Sequence, residues 1–125
     1  MDNELMQNQQ AVRAVIETYF RGHASGDGSY FLKAFLPSAH VEGFRDGSFE
    51  SRNLQAYAAV FKGAPAPDEA ARTRTIDAID VAGNAASAKA TLNHGETIFT
   101  DYFVLLKVDG QWKIANKVYD RKARL

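Results

Sequence analysis

The chain has no cysteine, only three prolines and a single tryptophan in 125 residues. Without thiols there is no disulfide scaffold, no thiolate zinc site and no cysteine nucleophile. Neither charge is in excess. Fifteen basic side chains meet fifteen acidic ones, so nothing draws the whole molecule to nucleic acid or to an anionic membrane. No apolar run approaches the ~20 residues of a spanning helix. The opening Met1-Asp2-Asn3-Glu4 is acidic and polar, unlike the basic and then apolar start of a signal peptide, and the expectation is a cytoplasmic protein. What is present is 46% hydrophobic and 24% charged, the balance of one soluble domain over residues 1–125. At this size about two-thirds of the unfolded surface is buried on folding, enough for a real core.

From Ala11 to His23 the side chains of Val12, Val15, Ile16, Tyr19, Phe20 and His23 recur at helical spacing and form one core-facing stripe. Ser25-Gly26-Asp27-Gly28 ends that helix, and Asp27 or Ser29 is placed to cap a second, Ser29 to Leu36, which buries Phe31, Leu32 and Phe35 before Pro37 stops it. His40 to Phe44 alternates like a strand, Asp46-Gly47 turns, and Ser48 to Glu50 returns. Asn53 is a cap for a third helix with Leu54, Tyr57, Ala58 and Phe61 on one face, ended by Gly63; Pro65 and Pro67 mark a loop. Everything after Ala71 reads as strand: Thr73 to Val81 with alternation imperfect enough for a bulge, Ala86 to His94, Ile98 to Val108, and Gln111 to Tyr119 after the Asp109-Gly110 turn. Three helices with a small hairpin, then a four-strand meander, is an α+β layer plan. A strongly curved sheet around the helices leaves one pocket between them.

This order resembles the nuclear transport factor 2-like superfamily, and within it the branch labelled lumazine-binding. The resemblance spans about residues 12 to 120. It rests on Tyr19-Phe20-x-Gly22-His23-Ala24-x-Gly26-Asp27, Phe35-x-Pro37-x-Ala39, Asp101-Tyr102-Phe103-x-Leu105 and Asp109-Gly110-x-Trp112-Lys113-Ile114-x-Asn116-Lys117. It implies a cone-shaped, mostly antiparallel curved sheet wrapped around three N-terminal helices, with a concave face lining a pocket and a convex face building a dimer. The fold hosts isomerases, dehydratases, epoxide hydrolases, polyketide cyclases and non-catalytic modules, so the resemblance specifies the fold better than the activity.

Period two puts Asp101, Phe103 and Leu105 on one face of their strand and Tyr102, Val104 and Leu106 on the other. Trp112, Ile114, Asn116 and Val118 share a face of the last strand and are expected toward the helices. A carboxylate among apolar neighbours must be paired or held neutral, which makes Asp101 the unusual residue. By resemblance to ketosteroid isomerases, Tyr19 and Asp101 fall where that enzyme places a tyrosine and a protonated carboxylic acid as donors to a developing enolate. The isomerase's basic aspartate aligns with Gly43, a departure from the pattern, and the neighbouring Glu42 points to the opposite face of a regular strand.

Each residue also has a plainer reading. Tyr19 is equally a core tyrosine with a partnered hydroxyl, and Asp101 a structural carboxylate bonded to Tyr19 or to the backbone. His94 lies in a pocket wall or beside a surface turn; His40 is a candidate base or an exposed histidine; His23 suits a helix C-terminal cap. His40, Glu42 and His94 have no metal-ligand spacing, and neither a metal nor a cofactor is expected. The basic end, Lys117, Arg121, Lys122 and Arg124, reads as solvated rather than as a nucleic-acid patch.

Three functional readings follow. One is a pocket that binds a small apolar molecule through a carbonyl, enol or phenol oxygen held by Tyr19 and Asp101, with walls from Phe35, Tyr57, Phe61, Phe103, Trp112 and Asn116. Another is an isomerase, dehydratase or cyclase using the same donors with His40, Glu42 or His94 as base. The last is a non-catalytic association module. The first is preferred, because Gly43 removes the expected base and a filled core has little use for the polar pair. Tyr102, Val104 and Leu106 are expected to form a homodimer through the outer sheet face.

Overall fold

The computed structural model describes residues 2–124. Helix α1 runs Asp2–Ser25, α2 Ser29–Ala34 and α3 Leu54–Ala59, with a 3-10 turn at Glu69–Ala71. The strands are β1 (His40–Arg45), β2 (Ser48–Asn53), β3 (Thr73–Ala82), β4 (Ala85–His94), β5 (Thr97–Val108) and β6 (Gln111–Ala123). They form one sheet ordered β2-β1-β6-β5-β4-β3, antiparallel throughout except where β1 lies parallel to β6. The architecture is α+β, with three helices on one face of an open six-stranded sheet.

Val12, Ile16 and Tyr19 of α1 are fully buried, as their helical spacing requires. The helix begins nine residues earlier than its apolar stripe. This extension is polar, and Asn8 ties it down: its Oδ1 accepts from Trp112 Nε1 at 3.1 Å and from Lys107 Nζ at 3.2 Å. Asn53 caps α3 by accepting from the Ala56 amide at 2.8 Å. After α1 the chain turns at Gly26, whose φ of +66° and close approach to the Ala64 carbonyl leave no room for a Cβ.

Two bulges shape the sheet. In β3 the pairing slips between Ile76 and Ala78, leaving Asp77 unpaired, which accounts for the imperfect alternation of that segment. In β6 the slip is at Ala115: Val104 faces Asn116, but Leu105 faces Ile114. One extra residue inverts every side chain beyond it. Trp112 and Ile114 point to the helices, and after the bulge so do Lys117 and Tyr119. Asn116 and Val118, expected inward, lie on the outer face instead, because uninterrupted alternation does not hold across the bulge.

Candidate functional site

Between α1, α3 and the inner face of β4, β5 and β6 lies a cavity of about 330 Å³. Its apolar wall comes from Phe61, Leu92 and Phe99, and its more exposed rim carries Arg45, Arg52 and Arg72. The polar interior joins Tyr19 of α1, Asp101 of β5 and Lys117 of β6, each less than 5% exposed. Tyr19 and Asp101 meet because the α1 stripe and the inward set of β5 face each other. Lys117 joins them only through the β6 bulge.

The three groups form a directed chain. Lys117 Nζ donates to the Tyr19 hydroxyl at 2.8 Å, and that hydroxyl donates to Asp101 Oδ2 at 2.5 Å. Lys117 Nζ also lies 3.5 Å from the same carboxylate oxygen, closing an ion pair inside the core. Asp101 Oδ1 is buried and has no hydrogen-bond partner among the described residues. Around the ammonium stand the rings of Tyr19, Tyr57 and Tyr119, with centroids 5.0, 5.2 and 5.3 Å away. A tyrosine cage of this kind favours a cation through the ring quadrupoles.

The resemblance to ketosteroid isomerases implies a neutral, donating Asp101. Lys117 changes that setting: the residue assigned to a solvated basic end is buried, with its Nζ 3.5 Å from Asp101 Oδ2. Burial, reinforced by the Asp101 charge, pushes the Tyr19 phenol well above its usual range, so the hydroxyl keeps its proton. Burial lowers the Lys117 ammonium, and Asp101 opposes the shift. Of the three ammonium protons, one goes to Tyr19 and one faces Asp101; the third has no protein acceptor among the described residues.

Two imidazoles line the same cavity. His23, expected as a helix cap, instead turns its ring inward and lies 3.0 Å from the Tyr57 hydroxyl through Nε2. The ring lines the cavity. Burial, and then the Lys117 charge, holds its protonation well below the ordinary histidine range. His94 accepts at Nε2 from Arg74 Nε at 3.0 Å, while Arg74 is itself clamped by both oxygens of Glu69 at 2.7 and 2.8 Å. Burial and the Arg74 charge lower His94 to about 4. Since Nε2 accepts, the proton of the neutral ring sits on Nδ1, making the ring a donor there.

The other expected residues sort by face. Tyr57 and Phe61 border the cavity. Phe35 and Phe103 are 1% exposed core residues behind it, each ring packed against Tyr19 at centroid distances of 6.0 and 5.0 Å. Trp112 sits at the far end of β6 with Asn8, away from the cavity. Asn116 is a staple on the outer face: its Oδ1 accepts from the His40 amide at 2.9 Å, and its Nδ2 donates to Glu42 Oε1 at 3.3 Å. Glu42 therefore faces away from the cavity, and His40 is exposed. At Gly43 a Cβ would come within 2.6 Å of the Tyr119 ring, so Tyr119 occupies the space an aspartate there would need.

A family model described as "Putative lumazine-binding" matches residues 7–120. The chain belongs to that family. Among solved structures, a nuclear transport factor 2-like protein of unknown function from Shewanella baltica is 28% identical, with a TM-score of 0.84 over 95% of this chain and 97% of that one. A scytalone dehydratase-like protein from Novosphingobium aromaticivorans shares the fold at 14% identity, with a TM-score of 0.69 over 98% and 89% of the two chains. The aldolase FrzH of a Cladobotryum species is 22% identical over 87% of each chain. The superfamily fold of this lumazine-binding family member is thus the nuclear transport factor 2-like one. Among the described residues, no helix is long and apolar enough to cross a membrane.

Proposed function

We propose that the protein binds a small, largely apolar molecule carrying a carbonyl, enol or phenol oxygen, with that oxygen directed at the Lys117–Tyr19–Asp101 cluster. The observation that carries this reading is the buried ion pair beside a cavity. Replacing such a pair with apolar side chains is often neutral or stabilising, so stability alone does not call for it. Lys117 supplies the donor to a ligand oxygen, Tyr19 and Asp101 hold the ammonium in place, and Phe61, Leu92 and Phe99 receive the apolar body. The family name and the superfamily fold agree with a small-molecule pocket.

Calorimetry with matched ligands tests this. A phenol is expected to bind roughly tenfold more tightly than the methylarene of the same shape, about 1.4 kcal/mol for one charge-assisted hydrogen bond. Lys117→Met combined with Asp101→Leu, which removes the donor without stranding a buried charge, is expected to erase the difference. Equal affinity of both ligands for the unaltered protein would overturn the reading.

A second reading, an enzyme of the isomerase, dehydratase or aldol class, draws support from His23 and His94, both neutral and both in the cavity wall. Of the bases first considered, His40 and Glu42 face away from this cavity. We also propose a homodimer built on the outer sheet face, where Tyr102, Val104 and Leu106 are 48%, 52% and 42% exposed.

A further inference from the structure

We infer that Lys117 is a covalent capture site for carbonyl compounds, its Nζ condensing with an aldehyde or ketone in the cavity to form an iminium. The inference rests on the proposed binding of an oxygen-bearing ligand and names its chemistry. Three features of position carry it. Lys117 is buried and borders the cavity, whereas the other six lysines are exposed or half-buried. Its amine shares one carboxylate oxygen, Asp101 Oδ2, with a phenol, so a proton acceptor and a proton shuttle both lie within 3.5 Å of the nitrogen. The second carboxylate oxygen, Oδ1, is buried and unpartnered among the described residues, which leaves it free to hold the proton taken from the amine. Burial also eases deprotonation of the ammonium, the condition under which lysine becomes a nucleophile.

The steps balance within these residues. Asp101 takes one ammonium proton, leaving a neutral amine. The nitrogen lone pair attacks the carbonyl carbon, a C–N bond forms, and the C=O π pair moves to oxygen. A proton passes from nitrogen to that oxygen through the Tyr19 hydroxyl, which gives one proton and receives another. The proton held on Asp101 then goes to the carbinolamine hydroxyl, the C–O bond breaks, and water leaves as the nitrogen lone pair closes the C=N bond. Ammonium and carbonyl have become iminium and water, with Asp101 again a carboxylate.

The test uses a 1-aryl-1,3-diketone, whose condensation product with an amine is a conjugated enaminone that absorbs in the near ultraviolet. The intact chain is expected to gain the absorbance and one equivalent of adduct, which peptide mass spectrometry maps to Lys117. Lys117→Arg, which keeps the charge but has no primary amine to form the enaminone, should show neither the enaminone absorbance nor its mass at this position. Asp101→Asn should form the adduct roughly a hundredfold more slowly, the scale of a lost proton acceptor. Thermal-shift titration with the same diketone reads binding separately. Binding with no adduct, or an adduct spread over surface lysines, overturns the capture site and leaves the binding reading standing. Neither binding nor adduct overturns both.

Discussion

At the scale of single residues, the ion pair between Lys117 and Asp101 sets the consequences. Removing one partner strands the other as a buried, uncompensated charge. Lys117→Met is therefore expected to lose about 3–5 kcal/mol in urea unfolding, and Lys117→Met with Asp101→Leu to regain most of it. Recovery in the double variant would separate a charge penalty from a packing penalty. The two cavity histidines make stability depend on pH. An unfolded histidine takes its proton near 6.5, whereas folded His94 holds off to about 4 and folded His23 lies well below its ordinary value. Between those limits the unfolded chain binds more protons, so stability falls as the pH drops from about 6.5 toward 4. Unfolding midpoints measured across that interval should show the decline, and His23→Asn should flatten it. An unchanged slope in the variant would remove His23 from the account.

At the scale of elements, the bulge at Ala115 decides which half of β6 faces the helices. Trp112 and Ile114 lie inward before it, and Lys117 and Tyr119 after it. The parallel pairing of β1 with β6 then brings Gly43 directly opposite Tyr119. A side chain at Gly43 must displace that ring, so Gly43→Ala is expected to cost about 1–3 kcal/mol. Combining it with Tyr119→Leu should cost less than the sum of the two changes, since the smaller side chain yields the space. A double-mutant cycle in urea reads that coupling directly; strict additivity would mean that the ring and the added methyl do not compete. Patterning alone gave no sign of either feature. An extra residue in a strand leaves no mark where polar and apolar side chains mix on both faces, as Lys113, Ile114, Asn116, Lys117 and Val118 do around the slip.

At the scale of the whole molecule, the sheet has one face against the helices and one open. Tyr102, Val104, Leu106 and Val118 make a half-exposed apolar band on the open face. A second copy covering it buries that band symmetrically, the commonest arrangement for such a surface. Sedimentation at micromolar concentration is expected to give twice the chain mass, and Val104→Lys to give the monomer with its helical content unchanged. A monomeric unaltered protein at that concentration would count against the dimer.

Periodicity and turn residues were sufficient to locate three helices and six strands, because those features depend on spacings of two to four residues within one element; the pairing of Tyr19 with Asp101 was implied by the family resemblance. The identity of the third member of the cluster was not available at that range. Lys117 read as part of a basic, solvated end because its neighbours in the chain are polar. Its burial depends on a one-residue slip against β5 and on a carboxylate sixteen positions away in sequence. His23 changed role for the same reason: its position in the helix suits a cap, but the rings of Phe31, Tyr57 and Phe61 that surround it come from α2, α3 and the segment just after α3. Spacing settled which side chains share a face of one element. Which faces met, and therefore which charges were neutralised inside, was decided only when the sheet closed over the helices.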